Sequence, residues 1–354
     1  MQRAVRSMMR EEFIDGLFIS NSYNVQYISG FRGENAYALI TAKGKYLITD
    51  GRHIELMSMM TKGFIIIDWQ KKDLKLKEAI NDIVRKEGIK RLGFEAEYLT
   101  YKQFTDLYDM TKAEITPVVG IIEKLREVKT QDEIEKIKTA CEINDRVFER
   151  LIKRVRVNVS EKELSALCSY YIKMEGGDAQ DSENVFLIGK RTSLIMDQPT
   201  EAVLEKGDLL LMNYGAKYQG YRTDFSRTVI LGQSNEEQRR VYDTALRAQT
   251  AAIGSIRAGE LVKEPFNESA KIIKEAGYYK YHYEGIGHGI GLDLLEEPFL
   301  DKNSTDILEE NSVLTVEPGI YIPNWGGVRI EDVVVVMEGG CRRLSKTTRK
   351  LIEV

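Results

Sequence analysis

Several things are scarce in this chain, and each scarcity excludes something. Its three cysteines, Cys141, Cys168 and Cys341, are odd in number, widely spaced and form no CxxC pair. A disulfide framework or a cysteine-based zinc site is therefore not expected, and the thiols read as buried or half-buried groups of a reducing compartment. No stretch approaches the roughly 18 continuous apolar residues that a membrane helix needs. No basic block stands out and the net charge is −4, so neither nucleic acid nor a membrane surface is an expected partner. The opening MQRAVRSMMREEFIDGLFIS carries charges every few residues and no apolar signal-peptide core, which places the expected location in the cytoplasm. Histidine is also rare, with only His53, His282 and His288.

What is present is ordinary for a globular protein: 43% hydrophobic and 30% charged residues in a chain of 354. That length exceeds one usual core, so two domains are expected. The segments 16–31, 37–50 and 64–69 read as strands bounded by Gly, Asn and Lys-Gly turns. Residues 71–88 place Leu74, Leu76, Ile80 and Ile83 at helical spacing and end on Gly88. RLGFEAE (91–97) reads as a further strand, followed by a helix near 100–112. This alternation predicts an α/β domain over residues 1–120. A long helix then opens at Thr130, whose partner Glu133 completes a capping box, and a second helix starts at Ser160. From there the pattern is strand-rich with helical insertions, which predicts an α+β domain over 121–354.

The strand-rich half holds acids at strand interiors. A turn centred on Tyr218–Gln219 sets Asn213 opposite Asp224, and a turn centred on Asn324 sets Glu317 opposite Glu331. Opposed residues of an antiparallel pair share a face, with Cβ atoms about 4.5–5.5 Å apart. Buried carboxylates of this kind require a positive partner. The plainer reading is that they face solvent or pair with Arg222, Arg227 and Arg329. His288 sits between two glycines in GHGIGLDLLEEP, where it is either structural or a ligand.

Three stretches together, LLMNYGAKYQGYRTDFSRTVILG, GIGHGIGLDLLEEP and LTVEPGIYIPNWGGVRIEDVVVV, resemble the creatinase/Xaa-Pro peptidase family with its pita-bread fold. YISGF and ITDGRH in the first 120 residues look like that family's N-terminal domain. The resemblance implies a creatinase-like α/β domain followed by a pita-bread catalytic domain, and a homodimer. It also implies metal ligands at Asp224, His288, Glu317 and Glu331, with Glu317 as the proton shuttle. The family's first ligand Asp falls on Asn213, and three family histidines fall on Met196, Glu284 and Leu295.

One imidazole and three carboxylates suit a single Mn, Fe, Co or Zn ion. The amide of Asn213 offers one weak oxygen, so a second ion is not expected. Met196 and Leu295 cannot donate to an oxyanion, and loss of one such donor lowers kcat by about 10²–10³. The implied function is an Xaa-Pro dipeptidase-like hydrolase cleaving a C–N bond in a small peptide or amine-type substrate, with efficient prolidase activity in doubt. Tyr278, Tyr279, Tyr281 and Tyr283 are candidates to line a pocket for an amine by cation–π contact, with Arg329 beside them. The alternatives are a metal-independent, creatinase-like hydrolase of a guanidino compound, against which Met196 stands, or a non-catalytic binding protein. His53 and His282 have no partner visible in the sequence.

Overall fold

The computed structural model describes residues 2–70, 75–180 and 184–354. They form two compact units, one ending at Arg126 and one running from Glu127 to Val354. The division falls later than residue 120 because the intervening segment is a short helix, Ile121–Glu127. Its Ile121 and Ile122 are buried in the N-terminal core with Leu17, Val25 and Ala38.

The first unit is α/β. Its six-stranded sheet runs Ile65–Asp68, Lys45–Thr49, Tyr37–Thr41, Gly16–Ile19, Arg91–Glu95, Glu114–Val118. Neighbouring side chains on a strand point to opposite faces. Leu17 and Ile19 accordingly enter one cluster with Val25 and Met57, while Phe18 enters another with Ile80, Ile83 and Leu107. A sheet covered on both faces explains why GLFI is apolar without alternation.

The strand read over 16–31 is shorter than expected. Only Gly16–Ile19 is extended, and Ser22–Ser29 is a helix. The Asn21 side chain accepts from the Tyr23 N–H and Gly30 closes the other end at φ 80°, so two caps override the strand preference of Tyr and Val. The helix read over 71–88 spans Leu76–Glu87, and Leu74 lies outside the described residues.

Glu95, at the end of its strand, ties that capped segment down. One of its oxygens accepts from the Ser20 and Asn21 N–H groups, each at 2.7 Å, and the other accepts from Asn24 Nδ2 at 2.6 Å. Burial outweighs these bonds and pushes its carboxyl up to about 6.

The second unit is α+β. Thr130 and Glu133 form the expected capping box of the helix Gln131–Leu151, and Ser160 caps Glu161–Met174. These helices share a core with the three-stranded sheet Val185–Ile188, Leu209–Asn213, Ser226–Ile230. A five-stranded sheet runs Glu296–Asp301, Gly285–Gly289, Val313–Val316, Asp332–Met337, Gly340–Arg343. The helices Glu236–Ser255 and Glu264–Glu275 supply Ala252 and Phe266 to its core. Among the described residues no helix is long and apolar enough to cross a membrane.

The raised carboxyl of Glu95 has a defined pH signature. Because the folded form holds its proton more tightly, the group stabilises the fold below pH 4.5. That contribution, about 2 kcal/mol, is lost as pH rises through about 6. The carboxyl ¹³C shift of Glu95 is expected to titrate with a midpoint near 6. A midpoint at or below 4.5 overturns this assignment.

Candidate active site

The first hairpin turns one residue later than its symmetry in sequence suggests. Gln219 and Gly220 both take positive φ, 50° and 87°, and form the two-residue turn that matches strand twist. Tyr218 therefore pairs with Tyr221, and the same register sets Asn213 opposite Ser226 instead of Asp224. Asp224 lies two residues earlier on that strand side, and a shift of two keeps the face. Its Oδ1 accepts from Asn213 Nδ2 at 3.0 Å.

The second hairpin keeps one register throughout. Val313 to Val316 pair with Val335 to Asp332, and Gly319 to Ile322 pair with Arg329 to Gly326, which centres the turn on Asn324. Glu317 and Glu331 fall at matching positions in the gap between the two ladders, the arrangement the sequence symmetry anticipates.

His288 comes from the neighbouring strand Gly285–Gly289. A Cβ at position 287 would strike the Thr315 carbonyl oxygen, and one at 289 the Glu297 carbonyl oxygen, which is why this imidazole is flanked by glycines. His288 Nδ1 lies 2.9 Å from the Gly289 oxygen. A carbonyl only accepts, so Nδ1 carries the proton and Nε2 is the atom presented to Glu317 Oε1, at 3.5 Å.

Ser226 is the residue that sequence reasoning missed. It is fully buried, and its hydroxyl donates to Glu331 Oε2 at 2.7 Å. Ser226 Oγ in turn accepts from Asn213 Nδ2 at 3.0 Å and from Arg329 Nε at 2.9 Å. One donor and two acceptor positions are all filled. Arg329 Nη1 reaches Glu317 Oε2 at 3.4 Å. Beneath this cluster Arg227 donates to the Glu331 carbonyl and pairs with buried Asp332 at 2.7 Å. Arg329 is thus the positive partner of the site, Arg227 supports its backbone, and Arg222 is directed to the Leu292 carbonyl.

Burial raises the carboxyls of Asp224 and Glu331, and each is raised further by the negative groups beside it. Burial works against the charge of Arg329. Tyr321, Glu317, Glu331 and Asp224 outweigh it and hold the guanidinium above its ordinary pKa.

Asn213, Asp224, His288, Glu317 and Arg329 line one cavity of about 510 Å³. Met196 and Leu295 line it too, 83% and 58% exposed at its mouth. Glu284 does not join them, because its carboxylate is held by Lys302 Nζ. Of the four tyrosines only Tyr283 reaches the cavity, leaning on Tyr321 at 5.2 Å. Tyr278 is buried and accepts from Arg240, and Tyr279–Tyr281 form a short 3-10 turn rather than a strand. His282 has a partner after all: its Nδ1 lies 3.0 Å from the Gly319 oxygen, and its ring borders the cavity. His53 packs edge-on against Phe31 in the first unit.

Acids and an imidazole delivered by two hairpins and a Gly-flanked strand, in a chain that also carries an α/β unit, define a hydrolase of the pita-bread class. The model of metallopeptidase family M24 matches residues 135–338, and that of the creatinase/prolidase N-terminal domain matches residues 2–128. The chain belongs to metallopeptidase family M24. It is similar to the uncharacterized peptidase YqhT of Bacillus subtilis, 34% identical over 98% of both chains. It is also similar to the Xaa-Pro dipeptidase of Pyrococcus furiosus, 33% identical over 97% of both. The solved Xaa-Pro dipeptidase from Bacillus anthracis superposes with a TM-score of 0.96 at 34% identity, covering 100% of this chain and 99% of that one.

Membership in a metallopeptidase family implies divalent ions, and the donor set here does not fit a pair of them. Asn213 turns its Nδ2 toward Asp224, Ser226 and, at 3.4 Å, Glu331, so an N–H donor sits where the family's first ligand carboxylate would stand. Among the described residues no group of three or more His, Cys, Asp or Glu stands at metal-holding spacing. The four residues expected as ligands, Asp224, His288, Glu317 and Glu331, meet in one cluster, joined through Asn213, Ser226 and Arg329. Its acids are already bound to an amide, a hydroxyl and a guanidinium.

Replacing Ser226 by Ala leaves Asn213, Arg329 and Glu331 each short of a partner. The expected cost is about 3 kcal/mol of stability in denaturant unfolding, together with loss of ligand binding in the cavity. A variant as stable as the parent would show that this hydroxyl is not the hub of the site.

Proposed function

We propose that this cavity hydrolyses a C–N bond in a small peptide-like substrate, without the paired metal ions of its family. The observation that carries the reading is the position of Glu317. Its carboxylate lies between His288 Nε2 at 3.5 Å and Arg329 Nη1 at 3.4 Å, with 18% of the side chain still open to the cavity. A carboxylate beside that guanidinium, and still open to the cavity, can take a proton from an attacking water. The neighbouring guanidinium offsets negative charge that develops on the carbonyl oxygen. Asn213 and Ser226 hold Asp224 and Glu331 in place while this happens. The Xaa-Pro dipeptidases among the similar proteins support a peptide-like substrate.

A second reading, a binding protein that does no chemistry, is favoured by one observation. Met196 and Leu295 bring no hydrogen-bond donor to the mouth of the cavity.

The test is a panel of Xaa-Pro dipeptides, their amides and guanidino compounds, assayed with and without chelator, with metal content measured on the same sample. Slow C–N hydrolysis is expected on the peptide-type substrates, with fewer than two ions per chain. Glu317→Gln is expected to lower kcat by about 10²–10⁴. Asn213→Asp is expected to raise the metal content. Two tightly held ions in the parent protein would sink the proposal. No turnover of any compound would hand the site to the binding reading.

A further inference from the structure

We propose that the cavity selects a small cation that carries an apolar side group and no free carboxylate: an amine or amino-acid amide in preference to a zwitterionic dipeptide. The proposal rests on the reading above for the location of the substrate, and it adds the charge and shape of that substrate.

The charge argument concerns the balance of acids and bases in the lining. Acids face the cavity from Asp224 and Glu317, with Asp197 at the rim. The basic groups that line it are Arg329, His288 and His282, of which only Arg329 is a permanent cation. Arg329 donates Nε to Ser226 and lies against Glu317. His288 donates Nδ1–H to Gly289 and directs Nε2 at Glu317. His282 gives its Nδ1 proton to the Gly319 carbonyl, which leaves Nε2 as a bare acceptor with no partner among the described residues. Arg191, behind the rim, is held by Glu161 and Asp197. Among the described lining residues the Arg329 guanidinium already lies against Glu317, and Asp224 and Asp197 leave the lining acidic, which favours a ligand ammonium over a ligand carboxylate. Placing like charges together across an interface costs several kcal/mol.

The shape argument concerns the opposite wall. Val185, Met196, Pro199, Leu294 and Leu295 are apolar, and Tyr283 adds an aromatic face. Both loops that carry this wall are braced by buried acids. Glu161 accepts from the Ile188 and Thr200 N–H groups, each at 2.8 Å, which fixes the turn leading to Met196. Glu296 accepts from the Asp293 N–H at 2.9 Å and pairs with buried Lys129 at 3.0 Å, which fixes the turn holding Leu294 and Leu295. At about 510 Å³ the cavity is within the usual range for a small-molecule ligand, about 300–1,000 Å³. Water adds across the C–N bond of such an amide to give a carboxylic acid and a free amine. The carboxylate so formed faces Asp224 and Glu317, which drives its release.

Three isosteric probes that cannot be hydrolysed separate the terms: isoamylamine, leucine and 4-methylpentanoate. Calorimetric titration of the wild-type protein is expected to show isoamylamine binding at least about tenfold tighter than leucine, and no binding of 4-methylpentanoate. Leu295→Lys puts a cation on the wall and is expected to narrow the amine-to-leucine ratio about tenfold, with Met196→Lys as a second, more exposed position. Leucine binding as tightly as the amine, no binding of any probe, or an unchanged ratio in both variants would each overturn the proposal. These outcomes are independent of turnover. Faster hydrolysis of Leu-Pro than of its amide would remove this inference and leave the hydrolase reading standing.

Discussion

Two hairpins from different sheets meet at one hydroxyl, and the site depends on that meeting. Ser226 lies on the first hairpin, Glu331 and Arg329 on the second, and the Ser226 oxygen touches all of them as well as Asn213. A buried carboxylate or guanidinium without a partner costs more than the fold can absorb. The hydroxyl satisfies one atom of each group at once and so locks the relative height of the two hairpins. Arg227 and Asp332 repeat the arrangement one layer down, where the guanidinium also holds the Thr347 and Thr348 carbonyls. The acids of the cavity are consequently held by the frame before any ligand arrives.

That frame gives the acids of the site partners within the chain. In a metallopeptidase of this family the carboxylates answer to metal charge. In this chain Asn213 contributes an amide in place of a carboxylate, Glu317 lies against Arg329, and Glu331 accepts from Ser226. The other departures are consistent in direction. Met196 and Leu295 remove donors and add apolar surface at the mouth, while Glu284 leaves the cavity for Lys302. The outcome is a pocket lined by both acids and aliphatic side chains.

Much of this is legible in the residues. The capping box at Thr130, the Ser160 cap and the second hairpin's turn at Asn324 all follow local rules, and the structure carries them out. The first hairpin is harder to read. A turn on Tyr218–Gln219 and one on Gln219–Gly220 are both compatible with the apolar pattern. Only the left-handed preference at Gly220 separates them. Choosing the second leads straight to Ser226. A hydroxyl in a run of strand residues otherwise carries no signal of its own, because its role exists only relative to Glu331, more than a hundred residues away.

The sequence by itself determined the two-unit α/β and α+β architecture, the family, and the place of Asp224, Glu317 and His288 among the residues that line the cavity. Periodicity, caps and glycine-flanked motifs are local, and local physics is enough to decide them. Tertiary structure alone decided which groups those acids engage, that Glu284 and three of the four tyrosines stand outside the cavity, and that His282 has a backbone partner. Partners in a buried polar network are chosen by distances between strands far apart in the chain. Those distances come into existence only when the sheets close.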